Sequence, residues 1–339
     1  MNSKTGVLLI QLGTPDSPAV KDVRRYLREF LSDARVIDIN WLARTLLVNL
    51  IIAPFRAPKS AKIYNQLWTE NGSPLLFYSE RLKNKLQKII GNDFDIELAM
   101  RYQNPSMESV LEIMRKKNYH RIIILPLFPQ YASATNGSAI EKAMNIIKKW
   151  WVIPEIKVIS QFYDDKGYIS CFVQNAKKYN MTEYDHVLFS YHGLPDRQVD
   201  KVYDDGKPCS DYNCENEITE DNKFCYKATC YATTRALAEK LKIPNEKYTV
   251  CFQSRLDDKW LKPFADKTVI EQAKKGTKKL LVFSPAFVAD CLETTIEIGH
   301  EYQQLFVQNG GEKVQLVESL NDSDMWVETV KNLILSHNN

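Results

Sequence analysis

The segment His186-Val187-Leu188-Phe189-Ser190-Tyr191-His192-Gly193-Leu194-Pro195 decides how this chain is read. Its first five residues form an apolar, strand-like run, and the run leads to a lone histidine followed by a turn. A second segment repeats the plan. Lys279-Leu280-Leu281-Val282-Phe283 is another apolar run, and the stretch SPAFVADCLETTIEIG (Ser284 to Gly299) then places acids at Asp290, Glu293 and Glu297. Those acids step by three and four residues, so a helix carries them on one face. A base and a row of carboxylates at the carboxyl ends of strands is where open α/β sheets build their sites.

Working outward, further apolar runs read as strands: Gly6 to Ile10, Asp95 to Met100, Arg121 to Leu125, Ile156 to Ile159 and Tyr248 to Phe252. Helical patterns lie between them, at Val20 to Leu31, Tyr78 to Ile90, Ser106 to Lys117, Ser138 to Trp150 and Thr233 to Leu241. Alternating strands and helices, with strands apolar on both faces, mean parallel sheets covered by helices. The alternation breaks around Val158 to Asp165 and restarts. The expected architecture is therefore two doubly wound, Rossmann-like α/β lobes, 1–160 and 161–310, with a ligand cleft between them and a C-terminal helix in 311–339 packing back. No G-x-G-x-x-G and no P-loop follows any strand, so hydride and phosphoryl transfer are not indicated.

The bulk properties fit that architecture. The chain has 339 residues, 44% hydrophobic and 26% charged, which suits a globular protein of two ordinary domains. A net charge of +3 without a long basic block argues against nucleic acid. The apolar run Val7 to Leu12 is too short for a signal sequence and ends in a turn, so a cytoplasmic, reducing location is expected. Trp41 to Phe55 (WLARTLLVNLIIAPF) is the one stretch with a membrane-like composition. It falls short of the roughly 20 residues a spanning helix needs, and its periodicity alone reads as a buried amphipathic helix.

Six motifs then occur in order: LIQLGTPDS from Leu9, RYQNPSMESV from Arg101, LPLFPQYASATNGSAI from Leu125, FSYHGLP from Phe189, FQSRLDDKWLKPFAD from Phe252 and ADCLET from Ala289. Together they closely resemble the ferrochelatase family, whose members insert ferrous iron into a porphyrin. The resemblance spans nearly the whole chain. It implies a chelatase-like two-lobed fold, His192 and Glu293 as the residues that meet iron and the pyrrole protons, and Glu297 and Asp290 as supporting carboxylates. It also implies porphyrin contacts from Leu12, Arg101, Tyr102, Tyr131, Ser138 and Trp260. The substrate it implies is protoporphyrin IX, with coproporphyrin III as the enzymatic alternative and an iron- or redox-sensing role as the non-catalytic one. Residues 41–55 match the family's apolar lip, where Leu42, Leu46, Leu47, Ile51, Ile52 and Pro54 would meet the macrocycle or the inner face of a membrane. Cys291 stands where some members carry histidine.

One stretch departs from most of the family. Residues 204–230 form a polar insertion holding Cys209, Cys214, Cys225 and Cys230 in the spacing C-x4-C, ten residues, C-x4-C. That spacing is within reach of a four-cysteine iron–sulfur cluster or of tetrahedral zinc. Some microbial ferrochelatases carry an internal [2Fe–2S] cluster, so the resemblance favours that cofactor here. Cys230 is the weakest of the four, and Cys171, Cys251 and Cys291 read as small buried residues. Oligomeric state is left open by the sequence.

Overall fold

The structure is a computed structural model in which residues 4–338 are described. Eight strands form two four-stranded parallel sheets. The first contains β1 (Thr5–Gly13), β2 (Phe94–Tyr102), β3 (Arg121–Pro126) and β4 (Glu155–Val158), in the order β2-β1-β3-β4. The second contains β5 (His186–His192), β6 (Tyr248–Gln253), β7 (Lys279–Phe283) and β8 (Lys313–Leu316), in the order β6-β5-β7-β8. Each sheet thus has the same order, and in each the direction in which strands are added reverses at its first strand. Such switch points leave a crevice beyond the carboxyl ends of the two central strands.

The strand registers follow from burial. Val7 of β1 lies between Ile96 of β2 and Ile123 of β3, and Phe189 of β5 lies between Val250 of β6 and Phe283 of β7. One-residue slips would turn apolar side chains away from the helices, so the register is well determined. On one face of the first sheet, Leu8, Ile10, Ile122 and Ile124 pack with Val110, Leu111 and Met114 from the helix Met107–Lys116. Ala139, Ala143 and Ile147 from the helix Ser138–Ile147 join the same core. In the second sheet Leu188, Leu280 and Val282 pack with Val269 and Ala273 from the helix Ala265–Lys274 and with Ile298 and Phe306.

The chain divides into two compact units. One is Met1–Phe128, Ser133–Gln161 and Asn321–Asn339; the other is Pro129–Ala132 and Phe162–Leu320. One difference from the sequence reading follows. β8 lies in the segment assigned to a terminal helix, because Lys-Val-Gln-Leu is too short and too polar to announce a strand. The terminal helix itself, Asp324–Ser336, belongs to the first unit, with Trp326 fully buried and Lys85 bonded to the Asp322 carbonyl and the Asp324 carboxylate.

The stretch 41–55 also differs from a single buried helix. It is an α-turn, Trp41–Leu46, then a π-helical segment, Leu47–Ile52, then the helix Ala53–Leu67. Only Val48 and Ala53 are buried within it, while Trp41, Leu42, Leu46, Leu50, Ile51 and Phe55 are exposed. Of the expected lip residues, Leu47, Ile52 and Pro54 are half-buried. No helix among the described residues is long and apolar enough to cross a membrane.

Candidate active site and cysteine centre

His192 is the last residue of β5, at the switch point of the second sheet. Its Nδ1 lies 2.6 Å from the carbonyl oxygen of Gly193. A carbonyl can only accept, so the proton of the neutral ring resides on Nδ1 and the lone pair on Nε2. The backbone that carries this carbonyl is itself pinned. Gly193 donates its N–H to the Gln253 carbonyl at 2.7 Å, and a Cβ at this position would come within 2.8 Å of that same oxygen. Glycine is therefore required for the close approach of β5 and β6. The rings of Trp260 and Phe287 each lie 6.5 Å from the imidazole, centroid to centroid. Trp260 is held there by the pairing of its segment with 194–196, including a 2.9 Å bond from Leu261 N–H to the Leu194 carbonyl.

The acids do not share one helical face as the spacing predicts. The helical segment after β7 is a π-helix, Leu292–Tyr302, capped by Cys291, so Asp290 lies before it. Insertions of π geometry recur at functional sites because they redirect side chains. Glu293 and Glu297 both lie on the π-helix and are half-buried. Glu297 is heavily engaged. It accepts from Ser254 N–H at 2.9 Å, Ser254 Oγ at 2.5 Å, Gln253 Nε2 at 3.0 Å and Tyr302 Oη at 2.9 Å. The Glu293 carboxylate instead borders the Cys291 thiol, whose pKa is pushed up by burial and further by that negative charge.

Gln253 ties base and acids together and was not singled out in the sequence. Its Oε1 accepts from Ser190 of β5, and its Nε2 donates to the Glu293 carbonyl and the Glu297 carboxylate. Its backbone carbonyl holds Gly193. It lies within the FQSRLDDKWLKPFAD motif, but its linking role is not readable there, because its partners lie some 40 to 63 positions away.

In the first unit, Arg101, Tyr102 and Ser138 meet around Asp33, which the sequence reading also passed over. Asp33 forms an ion pair with the Arg101 guanidinium and accepts from Tyr102 Oη at 2.9 Å and Ser138 Oγ at 2.5 Å. Tyr102 and Ser138 are buried. Burial alone would raise the Asp33 pKa, but the Ser138 hydroxyl, the Arg35 N–H and the Arg101 charge together hold it below the ordinary value. Leu12, near the end of β1, is half-buried. Tyr131 belongs to the second unit, where its ring meets the edge of Phe224 at 5.6 Å.

The insertion brings together three cysteines and leaves out the fourth. Sγ–Sγ distances are 3.7 Å for Cys209–Cys214, 3.5 Å for Cys209–Cys225 and 3.8 Å for Cys214–Cys225, and all three residues are buried. They form the one group of metal-ligating side chains found among the described residues. Cys230 is not in it. It lies five residues into the helix Tyr226–Leu241, fully buried, with its thiol raised by burial and hydrogen-bonded to Tyr226. Of the four cysteines expected together, the structure gathers three around one point. Cys171, Cys251 and Cys291 are buried single thiols.

Comparison with known proteins gives these sites a context. The ferrochelatase family model matches residues 4–338. A ferrochelatase of Coxiella burnetii (strain CbuG_Q212) is 44% identical over 334 residues, covering 97% of this chain and 92% of the relative. A ferrochelatase of Legionella pneumophila (strain Lens) is 42% identical over 335 residues, covering 98% of both. Among solved structures, SirB from Bacillus subtilis with Fe3+ superposes with a TM-score of 0.57 at 12% identity, covering 98% of this chain and 95% of that one. That likeness speaks for the chelatase-like fold.

Proposed function

This chain belongs to the ferrochelatase family and is a porphyrin metal chelatase with ferrous iron as its metal substrate, and from that premise we propose that His192 is the base and Glu293 the carboxylate of the insertion step. The observation that carries this reading is the bond from His192 Nδ1 to the Gly193 carbonyl. It leaves Nε2 bare to take a proton from a pyrrole N–H as the metal enters. Trp260 and Phe287 supply apolar surface beside it for a flat macrocycle.

The two carboxylates divide the work by their surroundings. Glu297, surrounded by four donors, anchors the π-helix and offers a fixed negative charge to the path of the dication. Glu293 makes no such commitment to the backbone and is the oxygen ligand that can hand iron on. Oxygen ligands suit a ferrous ion that must leave again, since they bind it less tightly than thiolates. Asp290, just ahead of the π-helix, extends the acidic path. Arg101, held by Asp33, would meet a porphyrin propionate, while Tyr102 and Ser138 act by holding Asp33 and Arg101 in place.

Protoporphyrin IX is the proposed macrocycle, and the exposed apolar face of 41–55 the surface through which it is received, from a membrane where the protein rests on one. The test is an anaerobic assay with Fe2+ and either protoporphyrin IX or coproporphyrin III. His192→Ala should lower insertion by about 10²–10⁴-fold while porphyrin still binds, read by quenching of porphyrin fluorescence. Near-normal turnover in that variant would remove His192 from the base role. Turnover with coproporphyrin III alone would overturn the choice of macrocycle.

An internal [2Fe–2S] cluster, which the resemblance favours, does not fit the side chains present. Such a cluster takes two cysteines on each of two irons. Here Cys209, Cys214 and Cys225 lie mutually within 3.8 Å around one point, whereas two irons would divide the cysteines into two separate pairs, and Cys230 is outside that group.

A further inference from the structure

The geometry points to a mononuclear site for a thiophilic dication of the zinc class, bound by Cys209, Cys214 and Cys225 with the Tyr203 hydroxyl at the fourth corner. A tetrahedral ion with metal–sulfur bonds of about 2.3 Å sets its sulfurs about 3.8 Å apart. The three sulfur–sulfur distances, 3.5, 3.7 and 3.8 Å, match one face of such a tetrahedron. Above that face an oxygen ligand would lie about 3.5 Å from each sulfur. The Tyr203 oxygen lies 3.0 Å from Cys214 Sγ and 4.0 Å from Cys209 Sγ, on either side of that value. Its ring is fixed by stacking on Tyr212, with centroids 3.8 Å apart and planes 10° from parallel.

The surroundings are those of thiolates. Asn222 Nδ2 lies 3.7 Å from Cys214 Sγ and also donates to the Glu217 carbonyl at 3.1 Å, while its Oδ1 accepts from the Thr219 N–H at 2.7 Å. Cys225 is the residue that precedes the helix Tyr226–Leu241, and its thiol lies beside the Ala228 N–H in the first turn, at the positive end of the helix dipole. Lys227, half-buried on the first turn of that helix, is ion-paired with Glu215 at 2.6 Å and lies within electrostatic reach of Cys209 and Cys214. Three thiolates and a dication leave one net negative charge, which these donors and this ammonium offset. Donors aimed at ligand sulfurs are the usual outer support of such centres. Binding displaces the thiol protons to solvent, so metal affinity should rise with pH.

All four groups are buried, and a closed, fully protein-ligated centre is structural rather than catalytic. The inference is independent of the roles given to His192 and Glu293. What the ion does is hold an insertion that has little apolar core of its own.

The full chain is purified anaerobically, its metal and acid-labile sulfide are measured, and the chelator-stripped protein is reloaded with Zn2+ or Co2+. The expected result is one zinc per chain without sulfide. Co2+ should give a tetrahedral spectrum with thiolate charge-transfer bands. Cys214→Ser should lose the metal. Cys230→Ala should keep it, and Tyr203→Phe should keep the thiolate bands but alter the cobalt ligand-field bands. Two irons and two sulfides per chain, lost in Cys230→Ala, would overturn the proposal in favour of a cluster. Failure of the stripped protein to bind either ion, with its thiols remaining titratable, would overturn it altogether. A Tyr203→Phe spectrum unchanged in every band would remove the phenol from the ligand set. Because none of these readings uses turnover, a failure here is separable from a failure of the chelatase assignment.

Discussion

Asp33 shows how much one buried carboxylate can organise. It receives the Arg101 guanidinium, the hydroxyls of Tyr102 and Ser138 and the Arg35 N–H, which arrive from β2, from the start of the helix Ser138–Ile147 and from its own loop. Replacing it with asparagine keeps the shape and removes the charge that Arg101 faces. Breaking one side of a buried ion pair costs about 3 kcal/mol or more. Because the folded pKa of Asp33 lies below its unfolded value, its contribution is complete above about pH 4 and lost as pH falls through the folded value. Urea unfolding of the wild type and Asp33→Asn should therefore differ by about 3 kcal/mol at pH 7 and converge in acid. A gap that stays constant down to the lowest pH would mean that Asp33 carries no charge in the folded protein.

Among the elements, the π-helix Leu292–Tyr302 is the one on which the site depends. Its first turn is bonded through the Glu293 carbonyl and its middle through Glu297, and Gln253 reaches both. Gln253→Leu preserves volume but leaves these two acceptors and the Ser190 hydroxyl short of a partner, at about 1–3 kcal/mol for each group left buried. The expected outcome is a lower melting temperature together with faster hydrogen exchange confined to 290–302. Exchange that quickens equally in β5 and β6 would show that Gln253 serves the sheet rather than the helix. The central strands were legible in the sequence because parallel strands buried on both faces read as plain apolar runs, and the edge strand β4 was found by Ile156, Val158 and Ile159 although none of its own residues is fully buried. β8 was not, since an edge strand with Lys313 and Gln315 lacks that signature. The π geometry was invisible for another reason. Acids spaced three and four apart satisfy an α-helix equally well, and only the structure shows Asp290 left outside.

At the scale of the whole molecule, the same distinction separates what could be read of the sites from what could not. His192 and Glu293 were singled out as candidates by the motifs that carry them, and the cysteine-rich insertion by its density. Asp33 and Gln253 are polar residues whose meaning comes from partners distant in sequence, Tyr203 lies just ahead of the insertion and is marked only by its contacts with Cys209 and Cys214, and Cys230 matched the spacing but is outside the group. The terminal helix was expected to pack back on one lobe or the other, and its partners too are distant in sequence. Asp324–Ser336 follows the last strand of the second sheet but completes the first unit, so the start and the end of the chain fold together. Trp326 lies fully buried, and Arg121 at the start of β3 bonds to Asn338 at 3.0 Å. Trp326→Ala should cost about 3–5 kcal/mol, the usual range for emptying a buried tryptophan site. If the unit is built as the chain path indicates, hydrogen exchange will quicken in β1 to β4, hundreds of residues upstream, before it does in β5 to β8 directly preceding the helix. Protection lost first in β8 would mean instead that the helix is stabilised by the strand it follows, and that the first unit stands without it.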